Sequence, residues 1–173
     1  MDAKKESEPT STKSRTTVER TSARELVVTR TFNGPARIVF GAWTKPELFS
    51  RWWTPKSFGL TILSCEMDVR VGGTYRLMIR HPASEQPMGF FGKYIEVTPH
   101  ARLVWTNEES EEGAVTTVSF EERGGATLVV MHDLYPSKEA LDDAIASGST
   151  SGTGETFEQL DELLVTLGFQ CQN

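Results

Sequence analysis

Apolar and polar positions along the chain fall into successive regimes. From Met1 to about Arg24 there is no aromatic residue and one branched aliphatic, Val18, among Ser, Thr, Lys, Arg and Glu. Such a segment buries too little apolar area to offset its ordering entropy, so residues 1–24 are expected to be a disordered tail. At Glu25 the pattern changes to Glu-Leu-Val-Val-Thr-Arg-Thr-Phe, a β-branched and apolar run that predicts a first strand ending at Asn33-Gly34. Pro35 then suits a first helical turn, where its missing N–H would be unpaired anyway, and Ile38, Val39, Ala42 and Trp43 follow at helical spacing. A second short helix is predicted after Thr44, as its cap, carrying Leu48, Phe49, Trp52 and Trp53.

Beyond Pro55 the period becomes two. Leu63, Cys65, Met67 and Val69 alternate with polar residues, Gly72-Gly73 makes a turn, and Tyr75, Leu77 and Ile79 alternate again. Further strands are predicted at about 88–97, 102–107, 114–121 and 126–133, divided by Thr98-Pro99-His100, Glu111-Glu112-Gly113 and Arg123-Gly124-Gly125. The helical period returns with Phe157, Leu160, Leu163, Leu164 and Leu167, and Gly168 stops it. One strand, two helices, six strands and a long helix is an α+β order. An antiparallel sheet with one apolar face needs a cover, and the amphipathic C-terminal helix supplies it. The expected organisation is a tail over 1–24, a domain over 25–168 and a short tail over 169–173.

Several segments in this order resemble a known family. Thr29-Arg-Thr-Phe-Asn-Gly-Pro-Ala, Ala42-Trp-Thr-Lys-Pro-Glu-Leu-Phe, Arg51-Trp-Trp-Thr-Pro-Lys, Asp68-Val-Arg-Val-Gly-Gly-Thr-Tyr and Leu160-Asp-Glu-Leu-Leu resemble the SRPBCC superfamily. More narrowly, they are similar to the domain related to the C-terminal half of activators of the heat-shock protein 90 ATPase. The resemblance covers about 25–167 and implies a helix-grip fold of the birch-pollen-allergen (Bet v 1) or START-like kind, a curved antiparallel sheet wrapped around the long C-terminal helix. It also implies a cavity between sheet and helix that often holds apolar molecules, and it allows a homodimer. Relatives include binding proteins, cyclases and chaperone cofactors, so the fold does not supply the activity. Some relatives carry a Gly-Trp pair near the start of the last helix, where this chain has Gly152 and Thr153.

Charge and composition narrow the classes. With 173 residues, Cys65 and Cys171 far apart and no metal-ligand spacing, the chain needs no disulfide scaffold and fits a reducing cytoplasm. No apolar run has the ~20 residues of a membrane span, and no apolar core follows Met1 as in a signal peptide. A net charge of -6 argues against nucleic-acid binding, and the tail holds more bases than acids, so the acidity resides in the body.

Candidate chemistry is sparse. Gly148-Ser-Thr-Ser-Gly-Thr-Gly-Glu-Thr is faintly like a phosphate loop, but Glu155 stands where a lysine is needed, and capping by Ser151 or Thr153 accounts for it better. His81, His100 and His132 lie on separate elements without ligand partners, so no metal and no cofactor is expected. His132, in step with Leu128 and Val130, is assigned to the cavity face. Glu108, Glu109, Glu111 and Glu112 read as a solvated hairpin tip, and no nucleophile motif is present. The remaining signal is aromatic. The expected ligand-binding set is Trp53, Tyr75, Leu77, Phe91, Trp105, Val118, His132, Phe157, Leu160 and Leu164, although core filling explains Trp53, Tyr75 and Trp105 as well. The expected function is a carrier or sensor of a small apolar molecule. A chaperone-modulating interaction module is the alternative, and a cyclase or hydratase using His132 or a buried acid stands third.

Overall fold

The computed structural model of the protein describes residues 16–111, 113–147 and 152–168. Among the described residues there are eight strands: β1 (Thr17–Arg20), β2 (Glu25–Asn33), β3 (Thr61–Met67), β4 (Thr74–Arg80), β5 (Met88–Thr98), β6 (Arg102–Thr106), β7 (Val115–Arg123) and β8 (Ala126–Leu134). Helices α1 (Ala36–Thr44) and α2 (Pro46–Phe49) follow β2, a single 3-10 turn spans Lys56–Phe58, and α3 (Lys138–Ala146) and α4 (Thr153–Thr166) follow β8. The strands form one curved antiparallel sheet in the order β1-β2-β8-β7-β6-β5-β4-β3. Its consecutive members are joined by hairpins, and the long-range pairing of β2 with β8 sets the first long strand beside the last. This is the α+β order that the periods imply, in the helix-grip arrangement that the family resemblance implies.

Alternation decides which side chains meet α4. On the concave face lie Leu26, Val28, Arg30 and Phe32 of β2, Thr127, Val129 and Met131 of β8, and Thr116, Val118 and Phe120 of β7, all buried. Phe157, Leu160 and Leu164 of α4 are essentially unexposed against them, and Phe157 meets Phe32 edge-on at 5.4 Å. Burying a side chain of this size contributes ~1.5–3 kcal/mol. Trp43 and Trp52 complete the cluster, and the Trp52 indole N–H donates to the Ala42 carbonyl at 2.9 Å.

The structure departs from the sequence reading in four places. Thr17–Arg20, expected in a disordered tail, pairs with Leu26–Thr29 as edge strand β1, because β2 would otherwise leave its outer backbone groups unpaired. Helix α3 was not expected. Ser137 caps it by accepting from the Ala140 N–H at 3.0 Å, and Ala140 and Leu141 bury its inner side. Helix α2 ends at Phe49, so Trp52 and Trp53 belong to the turns after it, and Thr44 bonds back to the Phe40 carbonyl instead of capping. On β8 the cavity face carries Thr127, Val129 and Met131, not Leu128, Val130 and His132, and Thr127 is fully buried and donates to the Gly34 carbonyl.

Candidate ligand cavity

A row of cross-strand neighbours forms the floor of the main cavity. Register places Trp105 opposite Thr116, Thr116 opposite Asp133, and Asp133 opposite Leu26, so these four residues of β6, β7, β8 and β2 share one face in a line. Val28 and Met131 continue the apolar part of the floor. Above it stand Ala140, Asp143 and Ala144 of α3, Trp53 from the turns after α2, and Thr153 at the start of α4. Asn107, Glu109 and Ala114 of the β6–β7 connection and Tyr135 close the ends. The volume of this solvent-open cavity is about 480 Å³. A smaller void of about 70 Å³ lies beyond, lined by Tyr75, Leu77, Phe90 and Tyr94, and Trp53, Trp105 and Asn107 border both spaces as a shared partition.

A chain of hydrogen bonds runs along that partition. The Tyr75 hydroxyl donates to the Thr106 carbonyl at 2.7 Å and lies 3.2 Å from the Asn107 side-chain oxygen. The Asn107 amide donates to the Ala114 carbonyl at 2.6 Å and to Thr116 Oγ1 at 3.0 Å, and the Thr116 hydroxyl donates in turn to Asp133 Oδ1 at 2.6 Å. Glycine makes the hub fit, since a Cβ on Gly113 would stand 2.0 Å from the Asn107 carbonyl oxygen. Burial pushes the Asp133 carboxyl up to about 6, against the lowering effects of the Thr116 hydrogen bond and the His132 charge. Burial, with the Asp133 charge, also raises the Tyr135 hydroxyl to about 12. Glu109, Asp133 and Asp143 are the charged residues on the cavity wall, and among the described residues no Lys, Arg or His lines it.

The expected site residues divide into those the cavities use and those they do not. Trp53 and Trp105 line both spaces, and Tyr75 and Leu77 line the smaller one. Val118, Phe157, Leu160 and Leu164 are packed to 0–1% exposure and line neither space. Phe91 is 42% exposed on the outer face, opposite Arg76, because it is out of phase with Phe90. His132 also faces outward, where its Nε2 lies 2.9 Å from Glu25 Oε2, so a general base in the cavity is not available from it. The Glu25 carboxyl is lowered chiefly by that hydrogen bond. Asn107, Thr116, Asp133, Tyr135 and α3 were missed. With β8 in its true phase, Asp133 falls two positions after inward Met131, and Pro136-Ser137 followed by Glu139 is a helix-start signal.

The rim near α4 is tied to the turns that carry Trp53. Gln159 donates to the carbonyls of Trp52 at 3.0 Å and Thr54 at 2.8 Å and accepts from the Lys56 N–H at 2.8 Å. Glu155 accepts from both the N–H and the hydroxyl of Ser57, which lowers its carboxyl. Gly152 is the N-cap, and a Cβ there would stand 2.6 Å from Pro55 Cγ. Thr153 is the first helical residue rather than the cap, and Ser151, with most of the phosphate-loop-like segment, lies outside the described residues. Among the described residues no group of three or more His, Cys, Asp and Glu could hold a metal, and no helix is long and apolar enough to cross a membrane.

Comparison with known proteins agrees with this geometry. The fold is similar to the solved structure of a Rhodobacter sphaeroides protein, with a TM-score of 0.80 and 24% identity over 88% of this chain and 99% of that one. A Staphylococcus epidermidis protein is similar with a TM-score of 0.72 and 26% identity over 91% and 98%. An AHSA1-like protein from Aeromonas hydrophila is similar with a TM-score of 0.66 and 17% identity over 85% and 99%. No curated protein matches the chain. The family model described as Activator of Hsp90 ATPase homolog 1-like protein matches residues 33–165. With that match over most of its length and a sheet closed on α4, the chain belongs to the Activator of Hsp90 ATPase homolog 1-like family of the SRPBCC superfamily.

Proposed function

We propose that the protein is a binding module for a small amphipathic molecule held between the sheet and helices α3 and α4. The observation that carries this reading is the cavity itself. Its volume of about 480 Å³ falls within the range of roughly 300–1,000 Å³ of small-molecule sites, and an apolar floor meets a few converging polar groups there. The sequence suggests a wholly apolar ligand, but the Asn107–Thr116–Asp133 chain favours one with a polar end. N-phenylnaphthylamine, an uncharged fluorophore, is expected to brighten on binding the full chain. Trp105→Ala, which opens the partition, should change its affinity severalfold, whereas Arg76→Ala and Phe91→Ala on the outer face should not. Unchanged fluorescence with the folded protein would remove the basis of this reading.

A second reading is an interaction module that modulates a chaperone ATPase. The family description favours it, and more directly than it favours a carrier. Its test is the rate of ATP hydrolysis by purified heat-shock protein 90 with and without the chain. Stimulation that persists in Trp105→Ala would make the interaction surface, rather than the cavity, the working part.

A further inference from the structure

We infer that the cavity takes an organic cation, a protonated or quaternary amine on an apolar body, with its charge near Asp133 and the rings of Trp53 and Trp105. This rests on the cavity being a ligand site, and it names the chemistry of the occupant. Three features of the wall converge on a positive charge. Its formal charges are all negative, with Asp133 on the floor and Glu109 and Asp143 exposed nearer the solvent. Asp133 accepts one hydrogen bond among the described residues, from Thr116 to Oδ1, which leaves its second oxygen directed at no protein donor. The face of an indole attracts cations, and Trp105 lies only two strands from Asp133 in the same row.

Three bases on or beside β2 and β8 are committed elsewhere. Arg30 on the same face of β2 is taken by Asp161, Arg24 donates to the Tyr135 carbonyl at 2.8 Å, and His132 is turned outward to Glu25. A carboxylate in a partly desolvated floor that no Lys, Arg or His lines among the described residues is best satisfied by charge that arrives with the ligand. An anionic ligand would meet repulsion both on the way in and at the floor, and a neutral one would leave Asp133 uncompensated.

The test is displacement of N-phenylnaphthylamine from the full chain at about pH 8, where carboxylates are ionised. Benzyltrimethylammonium is compared with neopentylbenzene, its uncharged carbon isostere. The cation is expected to displace the probe at a roughly tenfold lower concentration. Asp133→Asn should abolish that advantage while the isostere competes as before. Should that variant prove unfolded by its thermal melt, Glu109→Gln with Asp143→Asn, both exposed and outside the core, should reduce the advantage and its dependence on salt. Equal or better competition by the isostere in the unmodified protein overturns the cation assignment and leaves the cavity reading intact. Failure of the fluorophore itself to bind overturns both.

Discussion

Arg30 is 3% exposed on the concave face of β2, where its guanidinium pairs with Asp161 of α4, donates to Thr16 at 2.7 Å and lies 5.5 Å from the Phe32 ring centre. Removing one partner strands the other, and burial already raises the Asp161 carboxyl. Arg30→Ala is therefore expected to cost ~3–5 kcal/mol in chemical denaturation, and Arg30→Met with Asp161→Leu should recover most of it. A single-variant cost below ~1 kcal/mol would show that the pair does not anchor the helix. Asp133 differs in sign. Its carboxyl titrates near 6 in the folded chain against an ordinary 3.8, so between those values the folded state holds more protons than the unfolded one. Stability from this group then falls as pH rises through the window, and the loss is complete above it. Asp133→Asn should raise the free energy of unfolding at about pH 8 by ~1–3 kcal/mol and give no gain at about pH 4. A gain independent of pH would contradict the burial of that carboxyl.

At the scale of elements, α4 is fastened at its first turns by Glu155 and Gln159 and is admitted close to Pro55 by Gly152. Gly152→Ala forces the loop away and Gln159→Leu leaves two carbonyls and an N–H unmet, so each should destabilise by ~1–3 kcal/mol and speed hydrogen exchange at Lys56 and Ser57. Unaltered exchange in both variants would mean that the turns hold themselves. Much of this layer was legible in the sequence, because strands such as Tyr75–Leu77–Ile79 and the helix stripe Phe157–Leu160–Leu164 alternate cleanly. β8 was not, because Leu128-Val-Val-Met131 is apolar on both faces and its phase is set by pairing with β2 and β7 rather than by its own pattern. That one-residue slip moved His132 inward and hid Asp133. Helix α3 escaped because it buries chiefly Ala140 and Leu141, too little for a visible stripe. β1, with all four residues exposed, carries no burial signal either.

In the whole molecule, tight packing and an open cavity are assigned to different parts of one concave surface. Phe157, Leu160 and Leu164 are packed out of solvent with Phe32 and Val118, whereas α3 and the Trp53 turns stand off from Leu26, Thr116 and Asp133 and leave about 480 Å³ between. The outer face carries the exposed Phe91 and the His132–Glu25 pair and has no part in that space. If the space is the working site, a bound molecule must be felt by residues that are far apart in sequence and joined only by the fold. The most direct measurement is a proton–nitrogen correlation spectrum of the full chain titrated with N-phenylnaphthylamine. Shifts are expected at the Trp53 and Trp105 indoles and at the amides of Asn107, Thr116, Asp133, Tyr135 and Ala140, with Phe91, Arg76 and His132 unmoved. Saturable shifts confined to the outer face, or none at all in the folded chain, would contradict a ligand site between the sheet and its helices.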